Sequence, residues 1–297
     1  MKKKRTLLFS LLCLLFVSGC GLTKKENSTF TVATTFYPMY AFTKAIVGDA
    51  GKVTMVMPPN VEPHDYEPSA KEMATMVDAN AFVYNSPALE SWVPRVKESF
   101  NRNTTIIDAS AHLPLIKHGT GYRESVDPHL WLSPKCAIKE VENIRDGLCK
   151  ADPKKAPIFQ KNAARYLAQL HELDKEYTQT LSQVKQKKIV TQHMAFSYLA
   201  KDYGLQQYSI MGLSEDQEPS PHHLAQLQQL MVKNHIHAVF VESGASNKIA
   251  KTLADETNAQ LFTLNPLEKL TTAQQQEGED YISIMKQNLA VLKKALQ

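Results

Sequence analysis
What this chain lacks narrows its chemistry first. It has four cysteines and no Cys-x-x-Cys pair, which argues against a zinc ribbon or a thioredoxin-like centre. No His-Glu-x-x-His occurs: His171-Glu172 is followed by Lys175 where the second histidine would stand. There is no Gly-x-Ser-x-Gly elbow and no phosphate-cradling P-loop. Low-complexity tracts are absent, and past the first twenty residues no apolar run approaches the roughly 20 residues a membrane span needs. Net charge is also missing where it would count. The formal +4 comes from Lys2, Lys3, Lys4 and Arg5, in a stretch of nineteen residues without an acid. The remainder carries 30 basic and 30 acidic residues. Such a balance gives no electrostatic reason to bind nucleic acid.

The basic start, the apolar run Leu7 to Val17 and the small residues after it read as an export signal. Val17-Ser18-Gly19-Cys20 resembles a bacterial lipobox, with cleavage before Cys20 and lipidation of its thiol. Residues 1–19 are therefore expected to be removed, and 20–29 to serve as a tether. Cys13 falls in the leader. Cys136 and Cys149 lie thirteen residues apart on an expected helix. Steps of about 100° put them on different faces, so two free thiols are expected rather than a bridge.

The 297 residues suffice for roughly two domains. Strand patterns at Phe30 to Thr35, Lys52 to Met57, Ala81 to Asn85 and Thr104 to Asp108 alternate with helical patterns. These run from Tyr37 to Val47, Ser69 to Asp78, Leu89 to Phe100 and Pro134 to Lys150. Such alternation predicts a mostly parallel sheet flanked by helices. From Asp152 to Lys185 there is no glycine, and apolar residues recur with helical period from Phe159 to Val184. Asp152 is placed to cap this helix and Pro153 to fit its first turn. A helix of about 32 residues would span about 48 Å, a strut between two lobes. Alternation then restarts, with strands at Lys187 to Thr191, Gln206 to Met211, Ala238 to Glu242 and Gln260 to Leu264. Helices are expected at Ala195 to Asp202, Pro221 to Asn234, Lys248 to Thr257 and Gly278 to Leu296. The expected organisation is an α/β lobe over 30–150, a linking helix over 151–185 and a second α/β lobe over 186–297.

Three histidines stand where such sheets bind ligands, at or after strand C-terminal ends or beside helix starts. His64 lies in a proline-flanked segment after the second strand. His129 follows Pro128 just before a helix, and His193 ends the strand that opens the second half. Spacings of 65 and 64 residues are not those of a zinc finger. A lone loop histidine is more often solvated than a ligand, so position alone leaves both readings open.

Five segments carry a resemblance. They are Ala33-Thr34-Thr35-Phe36-Tyr37-Pro38-Met39, Val61-Glu62-Pro63-His64-Asp65-Tyr66-Glu67-Pro68-Ser69, Asp127-Pro128-His129-Leu130-Trp131-Leu132-Ser133-Pro134, Thr191-Gln192-His193, and Gly278-Glu279-Asp280-Tyr281-Ile282-Ser283-Ile284-Met285. In order and context they resemble the zinc and manganese solute-binding lipoproteins of bacterial ABC importers, over essentially the whole mature chain. The resemblance implies two α/β lobes bridged by one long helix, with the metal between them. It implies His64 and His129 as ligands from the first lobe, with His193 and an acid from the second. Glu279 is the expected acid and Asp280 its alternative; the bland reading is that both favour a helix N-terminus. Asp127 and Glu242 are placed either to hold a liganding imidazole from behind or to cap the surface.

Three imidazoles and a carboxylate suit tetrahedral Zn²⁺, whereas Mn²⁺ prefers more oxygen ligands. Manganese-binding members of the family tend to carry an acid at the third position, so His193 favours zinc. The histidine-rich loop of many zinc-binding members is reduced here, in Leu115 to Val126, to His118. His112 and His118 are expected on the surface. His222 and His223 cannot share a helix face, and His235 and His237 are a weak secondary pair. The implied function is an extracytoplasmic, lipid-anchored, monomeric protein that captures Zn²⁺ for an ABC permease, without catalysis. The rival readings are a manganese-binding member of the same family, an exported zinc hydrolase and a surface adhesin.

Overall fold
The computed structural model describes residues 29–58, 61–119, 124–214, 217–242, 246–268, 274 and 277–297. The expected leader, Cys20 and nearly all of the tether lie outside these residues. Four strands, β1 (Thr31–Thr34), β2 (Lys52–Met55), β3 (Ala81–Tyr84) and β4 (Thr105–Asp108), form a wholly parallel sheet in the order β2-β1-β3-β4. A hairpin of two short strands, β5 (Lys117–His118) and β6 (Ser125–Val126), follows. Four more strands, β7 (Lys188–Thr191), β8 (Gln206–Ser209), β9 (Ala238–Glu242) and β10 (Gln260–Leu264), form a second parallel sheet in the order β10-β9-β7-β8. Read from the other edge, that order repeats the first. The expected two-lobe α/β architecture is thus the observed one, and one topology is used twice without a visible sequence repeat.

The central strands explain themselves. β3 and β9 are short apolar runs buried along their whole length, as parallel strands covered on both faces must be. The helices are α1 (Tyr37–Val47), α2 (Ala70–Val77), α3 (Val93–Val96), α4 (Pro134–Ala151), α5 (Ala156–Ser182), α6 (Ser197–Asp202), α7 (Pro221–Lys233), α8 (Lys248–Thr257) and α9 (Tyr281–Leu296). Local chemistry sets their starts. Ser69 and Glu72 form a capping box on α2, and Asp280 and Ser283 form one on α9. Pro38, Pro134, Pro157 and Pro221 occupy first turns, where the missing N–H costs nothing.

Two helical expectations need correction. The pattern from Leu89 to Phe100 yields only α3 and one 3-10 turn, Lys97–Ser99. Pro94 cannot donate within a helix begun earlier, so it sits in the first turn of a late start. The linking helix begins at Ala156 rather than Asp152. Pro153 forces the residue before it out of helical geometry, and Asp152, at φ −139° and ψ 89°, ends α4. Its carboxylate then accepts from the N–H groups of Lys154 and Lys155, turning the chain into α5. At 1.5 Å per residue the 27 residues of α5 span about 40 Å.

α5 is not a bare strut. Phe159, Ala163, Leu167, Leu170, Leu173, Tyr177 and Leu181 are all buried, and one apolar cluster runs from Phe30 and Phe42 through them to Leu199, Phe240 and Leu292. Phe159 packs on Phe30, while the Tyr177 hydroxyl donates to the Met285 carbonyl. A smaller cluster, including Val190, Leu227, Val239 and Leu253, fills the other face of the second sheet. α9, expected wholly within the second lobe, also reaches the first, with Tyr281 edge-on to Phe42. Cys136 and Cys149 are free thiols.

Candidate metal site
The two sheets bring their strand C-terminal ends together, and the loops leaving those ends build one cluster. His64 sits in a 3-10 turn, Pro63–Asp65, after β2. His129 lies between β6 and the 3-10 turn that leads into α4. His193 follows β7 by two residues and Glu268 follows β10 by four. One donor atom from each lies within 4.8 Å of every other. The His64 and His129 Nε2 atoms are 3.1 Å apart, and those of His129 and His193 are 3.4 Å apart. Glu268 Oε1 lies 3.4, 3.5 and 3.7 Å from Nε2 of His193, His129 and His64. A tetrahedron with bonds of about 2.05 Å has edges of about 3.3 Å, so these separations suit a zinc-sized ion. His129, His193 and Glu268 are buried, and the His64 side chain is 12% exposed.

The orientation of two imidazoles is fixed from behind. Asp127 Oδ1 lies 2.9 Å from His129 Nδ1, and Glu242 Oε1 lies 2.5 Å from His193 Nδ1. Each carboxylate accepts a hydrogen bond from Nδ1–H and so leaves the Nε2 lone pair aimed into the cluster. Asp127 and Glu242 thus sit behind ligand candidates rather than on the surface.

Charge follows the same geometry. Burial lowers His129 and His193, but Asp127 in one case and Glu242 in the other outweigh it, with Glu268 adding to both, and each imidazole is raised. His64 goes the other way: burial lowers it, although its hydrogen bond with Glu268 opposes the shift. Burial raises Glu268, yet the imidazoles of His129 and His193 hold it well below the usual carboxylate range. Burial acts likewise on Asp127, where hydrogen bonds from His118 and His129 prevail and hold it down.

The expected acid is corrected. Glu279 does not join the histidines: it is hydrogen-bonded to Gln287 and lines a separate hollow against α1 and β2 with Tyr37, Lys44 and Tyr166. Asp280 is exposed and caps α9. The helix-terminus reading therefore describes Asp280. The acid in the cluster, Glu268, belongs to Asn265-Pro266-Leu267-Glu268. This turn is clamped by Asn288, which accepts from the Asn265 N–H and donates to its carbonyl, each over a short bond of 2.9 and 2.8 Å. Trp131 Nε1 donates to the Pro266 carbonyl at 2.7 Å, tying the turn to the loop that carries His129. Leu267 is fully buried at φ 60°, left-handed backbone that costs a branched side chain about 1–2 kcal/mol. Such strain is held where the surroundings over-determine it, and here it turns Glu268 inwards.

His118 is half-buried rather than on the surface, and its Nε2 lies 3.1 Å from Asp127 Oδ2. His112, His222, His235 and His237 are exposed, and none of them joins a metal-holding cluster among the described residues. His223 bonds the Ser209 carbonyl.

Known proteins resemble this chain throughout. Residues 32–295 match the family described as zinc-uptake complex component A, periplasmic. The zinc-binding lipoprotein AdcA of Streptococcus pneumoniae is 44% identical over 98% of the chain, which spans only 60% of that relative's length. The high-affinity zinc uptake system protein ZnuA of Bacillus subtilis is 43% identical over 96% of the chain and 95% of its own length. The crystal structure of the Zn(II)-bound ZnuA-like domain of Streptococcus pneumoniae AdcA superposes with a TM-score of 0.80 at 45% identity, covering 90% of this chain and 99% of that one. With a matching fold, near-complete coverage and a four-donor cluster between two lobes, the chain belongs to the zinc-uptake component A family.

Proposed function
We propose that this chain is the capture protein of a zinc importer: it binds Zn²⁺ through His64, His129, His193 and Glu268 and delivers it to an ABC permease. The observation that carries the reading is the donor set, three imidazole nitrogens and one carboxylate oxygen at tetrahedral-edge separations. Two ligands come from each lobe, so the ion bridges them. Three nitrogens and one oxygen favour Zn²⁺ over Mn²⁺, which prefers oxygen-rich, higher coordination. Four protein ligands leave no position for an activated water, which opposes the hydrolase reading. No helix among the described residues is long and apolar enough to cross a membrane. The protein would be held outside the cytoplasmic membrane by a lipid on Cys20, working as a monomer.

Capture is ligand exchange. The hydrated ion sheds water as the imidazoles and Glu268 replace it, and bound protons leave His129 and His193. Elemental analysis and calorimetry on the mature protein test the reading. One equivalent of zinc per chain, lost in His193→Ala and Glu268→Ala, is the expected result. Stoichiometric manganese in preference to zinc, or no stoichiometric metal, would overturn it.

A further inference from the structure
We propose that His118 is a positioning residue for metal retention, because it closes a chain of hydrogen bonds that joins the ligand loops of the two lobes. The inference rests on the zinc-capture reading above. His118 stands on the short hairpin of the first lobe, beside the cluster but outside it. Its Nε2 lies 3.1 Å from Asp127 Oδ2, the oxygen that Asp127 does not use on His129. The same Nε2 lies 3.3 Å from Ser197 Oγ, on α6 of the second lobe. With the proton on Nε2, His118 donates to the carboxylate and, on a longer branch, to the hydroxyl.

The hydroxyl passes the connection on. Ser197 Oγ donates to Gln207 Oε1 at 3.2 Å. Gln207 Nε2 donates to Thr191 Oγ1 at 2.7 Å and to the His193 carbonyl at 3.2 Å, and Thr191 Oγ1 donates to that carbonyl at 2.7 Å. The path therefore runs from the His129 imidazole through Asp127, His118, Ser197 and Gln207 to the backbone of His193. One ligand from each lobe lies at either end. Tyr198, the next residue on α6, reinforces the seam: its hydroxyl donates to the Asp127 carbonyl at 2.7 Å and accepts from the Ile116 N–H at 3.0 Å.

Asp127 is buried and its Oδ2 receives His118. Removing His118 leaves that oxygen short of its donor and frees the carboxylate to turn away from His129. Outer partners of metal-binding imidazoles typically change affinity 10–100-fold when lost. The effect is expected mainly in zinc release, because His118 holds the formed site and does not meet the incoming ion.

Zinc release into excess chelator, followed by stopped flow, tests this in the wild type, His118→Ala, His118→Gln, Ser197→Ala and the His118→Ala/Ser197→Ala double variant. Zinc stoichiometry of the wild type comes first; a wild type that binds no zinc overturns the capture reading and this inference with it. With one equivalent bound, His118→Ala is expected to release zinc about tenfold faster. His118→Gln, whose amide Nε2 can replace the ring donor, should recover most of that change. The double variant should release no faster than His118→Ala, since members of one chain are not additive. Wild-type release from His118→Ala, or fully additive effects of the two alanine substitutions, would overturn the proposal. So would a glutamine variant as fast as the alanine one.

Discussion

The contrast between Glu268→Ala and Glu279→Ala separates the site built by the fold from the one expected from the last helix. Glu268 is 3% exposed and its Oε1 faces all three imidazoles within 3.7 Å. Structural zinc sites bind with roughly 10–16 kcal/mol, or about 3 kcal/mol per ligand when shared among four. At 1.4 kcal/mol per factor of ten, losing Glu268 should weaken zinc at least about 100-fold. Charge pushes the loss towards the upper end. With Glu268 the ion and its four donors alone carry one net positive charge, and without it two, offset in part by the buried carboxylates of Asp127 and Glu242. Glu268→Gln should fall between, since it keeps an oxygen donor and loses the charge. Glu279 is bonded to Gln287, away from the histidines. Surface substitutions usually stay within about 0.5 kcal/mol, so Glu279→Ala should move affinity by no more than about twofold. Competition against a zinc chelator of known affinity measures both. A Glu268→Ala protein that holds zinc as tightly as wild type, or a Glu279→Ala protein weakened a hundredfold, would refute the argument.

Other consequences can be checked on the same material. Zinc affinity should fall as pH falls: His129 and His193 are raised, so the decline begins above the ordinary imidazole value of about 6.5. Calorimetry in buffers of different ionisation enthalpy should register proton release on binding near neutral pH; a flat affinity from pH 8 to pH 5 would contradict this. Glu242→Gln removes the charge behind His193 and should weaken zinc by about 10–100-fold, measured by the same competition. Trp131→Phe leaves the Pro266 carbonyl without its indole donor. That should cost about 1–3 kcal/mol, seen as a lower melting temperature of the metal-free protein.

Much of this molecule was legible in the sequence. The alternation of short apolar strands with helical patterns gave both lobes, because a strand covered on two faces must be largely apolar, as β3 and the first four residues of β9 are. His64 and His193 were legible because they follow the ends of parallel strands, where such a sheet opens its binding crevice, and His129 because it stands beside a helix start. The same rule applied to β10 would have pointed to Glu268, four residues beyond Leu264. The resemblance points instead to Glu279, because a motif there outweighs position in the fold. Nothing local marks Glu268. Its inward turn depends on Leu267 in left-handed backbone and on Asn288 and Trp131, 20 and 137 residues away in sequence. The half-buried place of His118 is hidden from the sequence for a related reason. A histidine in a polar loop looks solvated until α6 of the other lobe is set against it.

On the proposed zinc-capture reading, the long helix α5 has a consequence for which ions would be accepted. Its first half is fixed to the first lobe, with Phe159 on Phe30 and Asn162 donating to the Ile46 carbonyl. Its second half is fixed to the other lobe, through Tyr177 against Tyr203 and the Met285 carbonyl. Swinging the lobes apart would pull well-packed side chains from a shared core, at about 1.5–3 kcal/mol for each large one exposed. The spine therefore works as a gauge that sets the width of the gap. A gap held at one width rewards an ion satisfied by four short bonds. It penalises Ca²⁺, which needs six to eight oxygens at 2.3–2.6 Å, and any other ion that must spread its ligands to complete its shell. Against ions of similar size the gauge is blind, and discrimination from Cu²⁺ or Ni²⁺ would fall to which metals reach the protein.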